Sequence, residues 1–337
     1  MIKFDADAYR AVLTGAVAQR DRIEQITAEI ADAGFDNLFL IGSGGSYGAM
    51  LPMERLVQNH STLPVRAAIA GELVLTDPPM LGARSVAVFS SLSGTTGETI
   101  AAVEYCKARG VTTIGLTGDA DSTLAELADH VVVNPADNAT AAESITTQLL
   151  LLTTSLLSRR GEFADYERLA DATRALPEGL PAVAIAADPF ASDWAERHAA
   201  TDYHFLVGAG ELWGFTYNYS MCVLEEMQWL RTTRVSGAEF FHGSLELIER
   251  DTSLVLFFGE DESRPLMERV RKFSDRYSDD VTVIDTHDYA VDGIDEDLRG
   301  YFSTIILGTV TYRVSVQLER VRDHDLDLRR YYRTVEY

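Results

Sequence analysis

The chain has 337 residues, enough for two domains of ordinary size or one large one. Apolar residues make up 46% and charged residues 24%, a balance that fills a globular core and excludes a disordered or collagen-like chain. Against 52 Asp+Glu stand only 29 Lys+Arg, a net charge of -23 that repels nucleic-acid phosphates and anionic lipid, so neither nucleic acid nor membrane is an expected partner.

Just three cations are lysines (Lys3, Lys107 and Lys272), which argues against Schiff-base chemistry. Cys106 and Cys222 cannot build a disulfide framework, and no metal-ligand spacing occurs. The opening MIKFDADAYRAVL carries no apolar signal core. The longest apolar run, Leu149–Leu157, is broken by Thr and Ser and is too short to span a bilayer. A soluble cytoplasmic protein is expected.

Short apolar runs alternate with helical patterns, which predicts an α/β fold with parallel sheets. Asn37–Ile41, Ser85–Phe89, Val111–Leu116 and His130–Val133 read as strands of the first half. Gly48–Gln58, Glu98–Arg109 and Ser144–Arg159 read as helices between and after them. Strands apolar at nearly every position are buried on both faces.

The second half repeats the plan. Tyr203–Gly208 matches NLFLIG, Ser253–Gly259 matches SVAVFSS and Val281–Asp285 matches VTTIG. The separations are 166 residues from Gly42 to Gly208, 168 from Ser91 to Gly259 and 170 from Ile114 to Ile284. Such constancy predicts an internal duplication into two doubly wound domains, 1–176 and 194–337. The proline-bearing stretch 177–193 is the expected linker.

The two halves differ in their turns. Gly42-Ser43-Gly44-Gly45-Ser46 follows the first strand and opens a helix. Ser91-Leu92-Ser93-Gly94-Thr95-Thr96-Gly97-Glu98-Thr99 does the same one unit later. Glycines admit close backbone approach, hydroxyls donate without adding charge, and a helix start supplies free N–H groups. Together they suit a phosphate at the carboxyl edge of the sheet. Taken alone, the same Ser and Thr also serve as ordinary helix caps and turn formers. A dinucleotide fingerprint fails for want of the third glycine and the acidic strand end, and a Walker loop for want of Gly-Lys-Ser/Thr.

The other informative stretch is Leu224–Ile248, LEEMQWLRTTRVSGAEFFHGSLELI. Its start is expected to continue a helix from about Leu212 to Arg231, with the turn SGAEFFHG after it. Glu225 and Glu226 near a helix C-terminus oppose the macrodipole, an unfavourable local choice that points to function. The competing reading has one of them solvated and the other paired with Arg231 or Arg234. His242 precedes a glycine and sits at a turn.

A strand, then S-x-S-G-x-T at a helix start, after a G-x-G-x-S turn, resembles the sugar isomerase (SIS) domain. Two in tandem resemble the phosphosugar isomerases over nearly the whole chain. The resemblance implies that Ser46, Ser91, Ser93 and Thr96 hold a sugar 6-phosphate, within a cradle that includes Gly44. Ser43, Gly45, Glu143 and Glu225 are candidate substrate contacts. The segment E-F-x-H-G is similar to that of the isomerase domain of glucosamine-6-phosphate synthase and of the fructosamine-6-phosphate deglycases. In that family a glutamate sixteen residues before the histidine moves a proton between C1 and C2, and the histidine opens the sugar ring, often in the neighbouring subunit's site. The positions here are Glu226 and His242. Glu239 belongs to the same pattern in a supporting role. A homodimer with shared active sites is implied, with no cofactor and no metal.

Departures narrow the activity. Ile follows Met1, so the synthase's N-terminal Cys nucleophile is not found, Glu225 replaces the lysine before its base, and Ala141–Gln148 reads AAESITTQ where it has STKAFTTQ. The tail DLRRYYRTVEY looks like that of fructoselysine-type deglycases and is expected to be a lid or a dimer contact. The expected activity is deglycation of a 6-phosphorylated fructosamine to glucose 6-phosphate and a free amino acid. The alternatives are a cofactor-free aldose–ketose isomerase of a phosphosugar or other anionic sugar, and a non-catalytic phosphosugar sensor.

Overall fold

The computed structural model describes residues 1–137, 139–332 and 334–336. Its strands form two sheets, and every pairing is parallel. The first contains β1 (Asn37–Gly42), β2 (Val65–Ile69), β3 (Ser85–Ser90), β4 (Thr112–Thr117) and β5 (His130–Val133), in the order β2-β1-β3-β4-β5. The second contains β6 (Tyr203–Gly208), β7 (Arg231–Ser236), β8 (Leu254–Phe258) and β9 (Val281–Asp285), in the order β7-β6-β8-β9. The expected pair of doubly wound parallel sheets is present, and the second repeats the order of the first without a fifth strand. β1, β3 and β8 are buried at every residue, as their unbroken apolar runs require.

One unit comprises Ala6–Glu178 with Asp292–Leu298. Phe39, Ile41, Phe89 and Val103 form part of one face of its core. The helix Ala141–Arg159 is buried along almost all of its length, which explains the long apolar run without a membrane. Among the described residues no helix is long and apolar enough to cross a bilayer. Asp292–Leu298 joins this unit through Arg168, which bonds Asp295 and Asp297 at 3.0 Å.

The other unit comprises Gly179–Val291 with Met1–Asp5 and Arg299–Tyr337. Phe205, Phe240, Leu256 and Val270 lie in its core. Its long helix Ser303–Arg322 carries Arg313, fully buried and paired with the Asp188 carboxylate at 2.6 Å. A buried guanidinium needs such a partner. Arg313 also donates to the Ile2 carbonyl at 3.0 Å, and this bond ties the first residues to the long helix of this unit.

The segment 177–193, marked as a linker by its prolines, lies instead within the helix Leu176–Arg197. Pro181 and Pro189 sit inside this helix. Each removes a backbone bond, yet burial of Leu180, Val183, Ala187 and Trp194 along one side holds the helix together. A second difference concerns the helix expected to reach Arg231. It ends at Gln228, and Arg231–Ser236 is strand β7. The β-branched Thr232, Thr233 and Val235 favour extended backbone there. β2, half exposed at the sheet edge, was not expected either.

Behind β6 the buried rings of His198 and His204 contact Trp194, with centroids 4.3 and 5.1 Å away. His198 Nε2 lies 3.0 Å from the Asp280 carboxylate, and His204 Nδ1 lies 3.0 Å from the Ser253 hydroxyl. Burial, then the nearby His198, pushes His204 down to about 4. The unfolded chain therefore takes up a proton near pH 6.5 that the folded chain refuses until about pH 4. Stability falls as pH drops through that window, by up to about 3 kcal/mol, and is level below it. Urea midpoints at pH 7 and pH 4.5 should show this slope in the wild type and a weaker one in His204→Asn.

Candidate active site

β1 and β3 are neighbours, but the chain winds from β1 towards β2 and from β3 towards β4. Their carboxyl ends therefore mark the reversal point of the winding, where open α/β sheets bind ligands. Both hydroxyl-rich turns emerge there. Gly42 ends β1, and a Cβ on it would lie 2.6 Å from the Tyr47 nitrogen. Gly44 has φ +55°, and the helix Gly45–His60 begins directly after it with Ser46 in its first turn. Gly94 has φ +60°, and a Cβ there would lie 2.1 Å from the Ser122 hydroxyl.

The hydroxyls of these turns do not cap helices. Thr96 precedes the helix Gly97–Lys107 without bonding its amides, and its hydroxyl lies 3.1 Å from that of Ser91. Thr95 donates to the Ser93 hydroxyl at 3.1 Å. The Ser43 hydroxyl is buried and has no hydrogen-bond partner among the described residues. Two helix starts, each preceded by a turn with a left-handed glycine, thus bring backbone N–H groups and neutral hydroxyls to the ends of adjacent strands, donors of the kind that suit a small dianion.

The second sheet has the same reversal point, between β6 and β8. Gly208 and Gly210 repeat Gly42 and Gly44, and Gly210 has φ +59°. The occupant differs. Asp261, in the stretch corresponding to Ser93–Gly94, accepts from the amides of Glu211 at 3.2 Å and Ser263 at 2.7 Å, and from the Ser263 hydroxyl. A carboxylate of the chain itself satisfies the donors that a bound anion would otherwise meet.

Glu225 and Glu226 lie near the end of a helix whose turns widen to the π form over Tyr219–Glu225 before a last α turn, Glu226–Gln228. Trp229 then takes φ +55°, a left-handed conformation usually left to glycine. The two carboxylates part company here. Glu225 accepts from Thr232 and, at 3.0 Å, from Arg234. Glu226 accepts from Arg329 of the C-terminal tail at 3.0 Å through Oε1. Its other oxygen has no hydrogen bond among the described residues. Both glutamates, with Trp229, Arg231, Arg329 and Arg330, line an open cleft of about 890 Å³. Burial, then the Glu226 charge, pushes the Cys222 thiol up to about 12.

His242 ends the short turn Phe240–His242, anchored by buried Phe240. Gly243 follows at φ +151°, a backbone that favours glycine and accounts for the His-Gly pair. The His242 ring is exposed and is not among the residues lining the Glu226 cleft. Exposed Glu239 uses its backbone carbonyl to accept the His242 amide at 2.9 Å. Glu143 lies buried in the first turn of its helix, where its carboxylate accepts from Tyr9 at 2.9 Å. Of the tail motif, Arg333 and Tyr337 lie outside the described residues. Sequence reasoning missed Arg329 as a partner of Glu226, and nothing in the spacing signals a contact across 103 positions. Among the described residues no group of His, Cys, Asp and Glu could hold a metal.

Comparison with known proteins agrees with this geometry. The SIS domain family matches residues 29–158. The fructosamine deglycase of Bacillus subtilis (strain 168) is 29% identical over 331 residues, covering 96% of this chain and all of that one. The fructoselysine 6-phosphate deglycase of Escherichia coli (strain K12) is 25% identical over 310 residues, covering 92% of this chain and 89% of that one. A Bacillus subtilis structure named as a phosphosugar isomerase superposes with a TM-score of 0.90 at 27% identity, covering 96% of this chain and 100% of that one.

Gly94→Ala adds a side chain where both φ and space oppose it, and should lower stability by about 1–2 kcal/mol in denaturant titration. Gly97→Ala, with nothing within 4 Å of the new Cβ, should be close to neutral in the same assay.

Proposed function

For this SIS-domain protein, similar over nearly its whole length to fructosamine and fructoselysine 6-phosphate deglycases, we propose an enzyme that splits a 6-phosphorylated fructosamine, the Amadori compound of a sugar and an amino acid. The reading rests on the reversal point of the first sheet, where two glycine turns bring neutral hydroxyl donors and helix starts together. Ser46, Ser91, Ser93 and Thr96, with the turn residues Ser43, Gly44 and Gly45, take the 6-phosphate. Glu226 removes the proton at C1 through its unbonded oxygen and returns it at C2. With the amine N–H proton passing to O2, the ketoamine becomes the imine of glucose 6-phosphate. Water adds to the imine carbon, and the amine leaves as the free amino acid.

His242 opens the sugar ring, since its ordinary range lets it give and take protons near neutrality. Its exposure, away from the cleft of its own Glu226, supports a homodimer in which it serves the partner's site. Glu225 and Glu143 keep structural roles, given their internal partners. Neither chemical step calls for a metal or an organic cofactor. A cytoplasmic location completes the proposal.

The similarity to a structure named as a phosphosugar isomerase favours a second reading, aldose–ketose isomerisation, which uses the same proton transfer. Proton NMR separates the two. With fructoselysine 6-phosphate the deglycase releases glucose 6-phosphate and lysine. With fructose 6-phosphate in deuterium oxide, deuterium at C2 of an aldose phosphate without amine release from the first substrate would establish the isomerase instead. Glu226→Gln should cut turnover by about 10²–10⁴-fold. Retained activity in that variant would remove Glu226 from the mechanism.

A further inference from the structure

The Glu226 cleft has a charge pattern that the proton transfer does not explain. Its carboxylates are matched. Glu226 pairs with Arg329 at 3.0 Å, Glu225 with Arg234 at 3.0 Å, and Asp202 with Arg231 at 3.6 Å. Arg330 lines the same cleft, and among the described residues it has no carboxylate partner. Its guanidinium is nevertheless held in place, 4.0 Å from the centre of the Trp229 ring.

That anchor is itself fixed. The Trp229 ring meets His324 edge-on at 4.3 Å, and His324 Nε2 lies 3.1 Å from the Met227 carbonyl. Arg329 donates to the carbonyls of Leu326 and Leu328 at 2.6 and 2.9 Å while it holds Glu226. The tail is thus bound to the helix end that carries Glu226, and it presents one unmatched, stacked guanidinium beside it. A planar fork of N–H donors on a rigid support is suited to a carboxylate.

We propose that Arg330 is a specificity-determining residue that binds the carboxylate of the amino acid joined to the sugar. The inference rests on the deglycase reading and deepens it: the substrate class is an amine that carries a carboxylate, and the tail selects it. Trp229 acts as a positioning residue for Arg330, which gives a reason for a bulky side chain at a left-handed backbone position.

The test compares matched 1-amino-1-deoxyfructose 6-phosphates whose amines differ only in the carboxylate. One pair carries glycine and methylamine, and the other carries lysine through its ε-nitrogen and pentane-1,5-diamine. In at least one pair the wild type should favour the carboxylate member by about tenfold or more in kcat/KM. Arg330→Gln should bring that ratio close to one, and Arg330→Lys should keep part of it. No preference in either pair overturns the inference, as does an Arg330→Gln variant that slows both members equally while glucose 6-phosphate is still released. If no adduct yields glucose 6-phosphate, the deglycase reading itself fails and the inference falls with it.

Discussion

The structure depends on one constraint of doubly wound sheets. Where the winding reverses, two adjacent strands end and two helices start, so several backbone N–H groups face the same point without partners. Those groups have to meet an acceptor. This chain solves the problem twice, differently each time. At the β1/β3 reversal it surrounds the helix starts with hydroxyls, with Ser91 beside Thr96 and Thr95 donating to Ser93. At the β6/β8 reversal it supplies Asp261 from within. The conserved element between the halves is the glycine turn, with Gly44 and Gly210 at nearly the same φ. What changed is the acceptor: hydroxyls at one, the Asp261 carboxylate at the other.

A comparable division separates the adjacent glutamates. Widening of the helix to the π form and the left-handed Trp229 place Glu225 against Thr232 and Arg234 of β7, while Glu226 reaches the cleft. One carboxylate is consumed by structure so that the strand after the helix is tied back to it. The other keeps one oxygen without a hydrogen bond among the described residues. The tail supports this arrangement, because Arg329, Arg330 and His324 all contact the three-residue turn that begins at Glu226 or the tryptophan that ends it.

Much of this was legible in the sequence because buried parallel strands are written as unbroken apolar runs. β1, β3, β4, β5, β6, β8 and β9 could be read that way, and the spacing of their turns disclosed the duplication. β7 could not, because RTTRVS is polar and follows a helix without a strong stop: Trp229 stands where glycine would have signalled the end. β2 is a half-exposed edge strand with little apolar signal. The first five residues join the second unit through the buried Arg313, which meets a carbonyl 311 positions away, a contact no local pattern encodes. In the site, the glycine turns were legible through residue type. The partners of Glu225 and Glu226 were not, since both choices fit a Glu-Glu pair beside several arginines, and nothing local distinguishes Asp261 from its acidic neighbours Glu260 and Glu262.

The central claim is that a single one of the two reversal points is open to a phosphosugar. Hydrogen exchange followed by mass spectrometry, with and without saturating glucose 6-phosphate, addresses it directly. The account predicts slowed exchange in peptides spanning 43–47 and 92–97, and none in peptides spanning 209–213 and 260–264, where Asp261 already holds the amides. Protection at the second pair of peptides, or at neither, would contradict it.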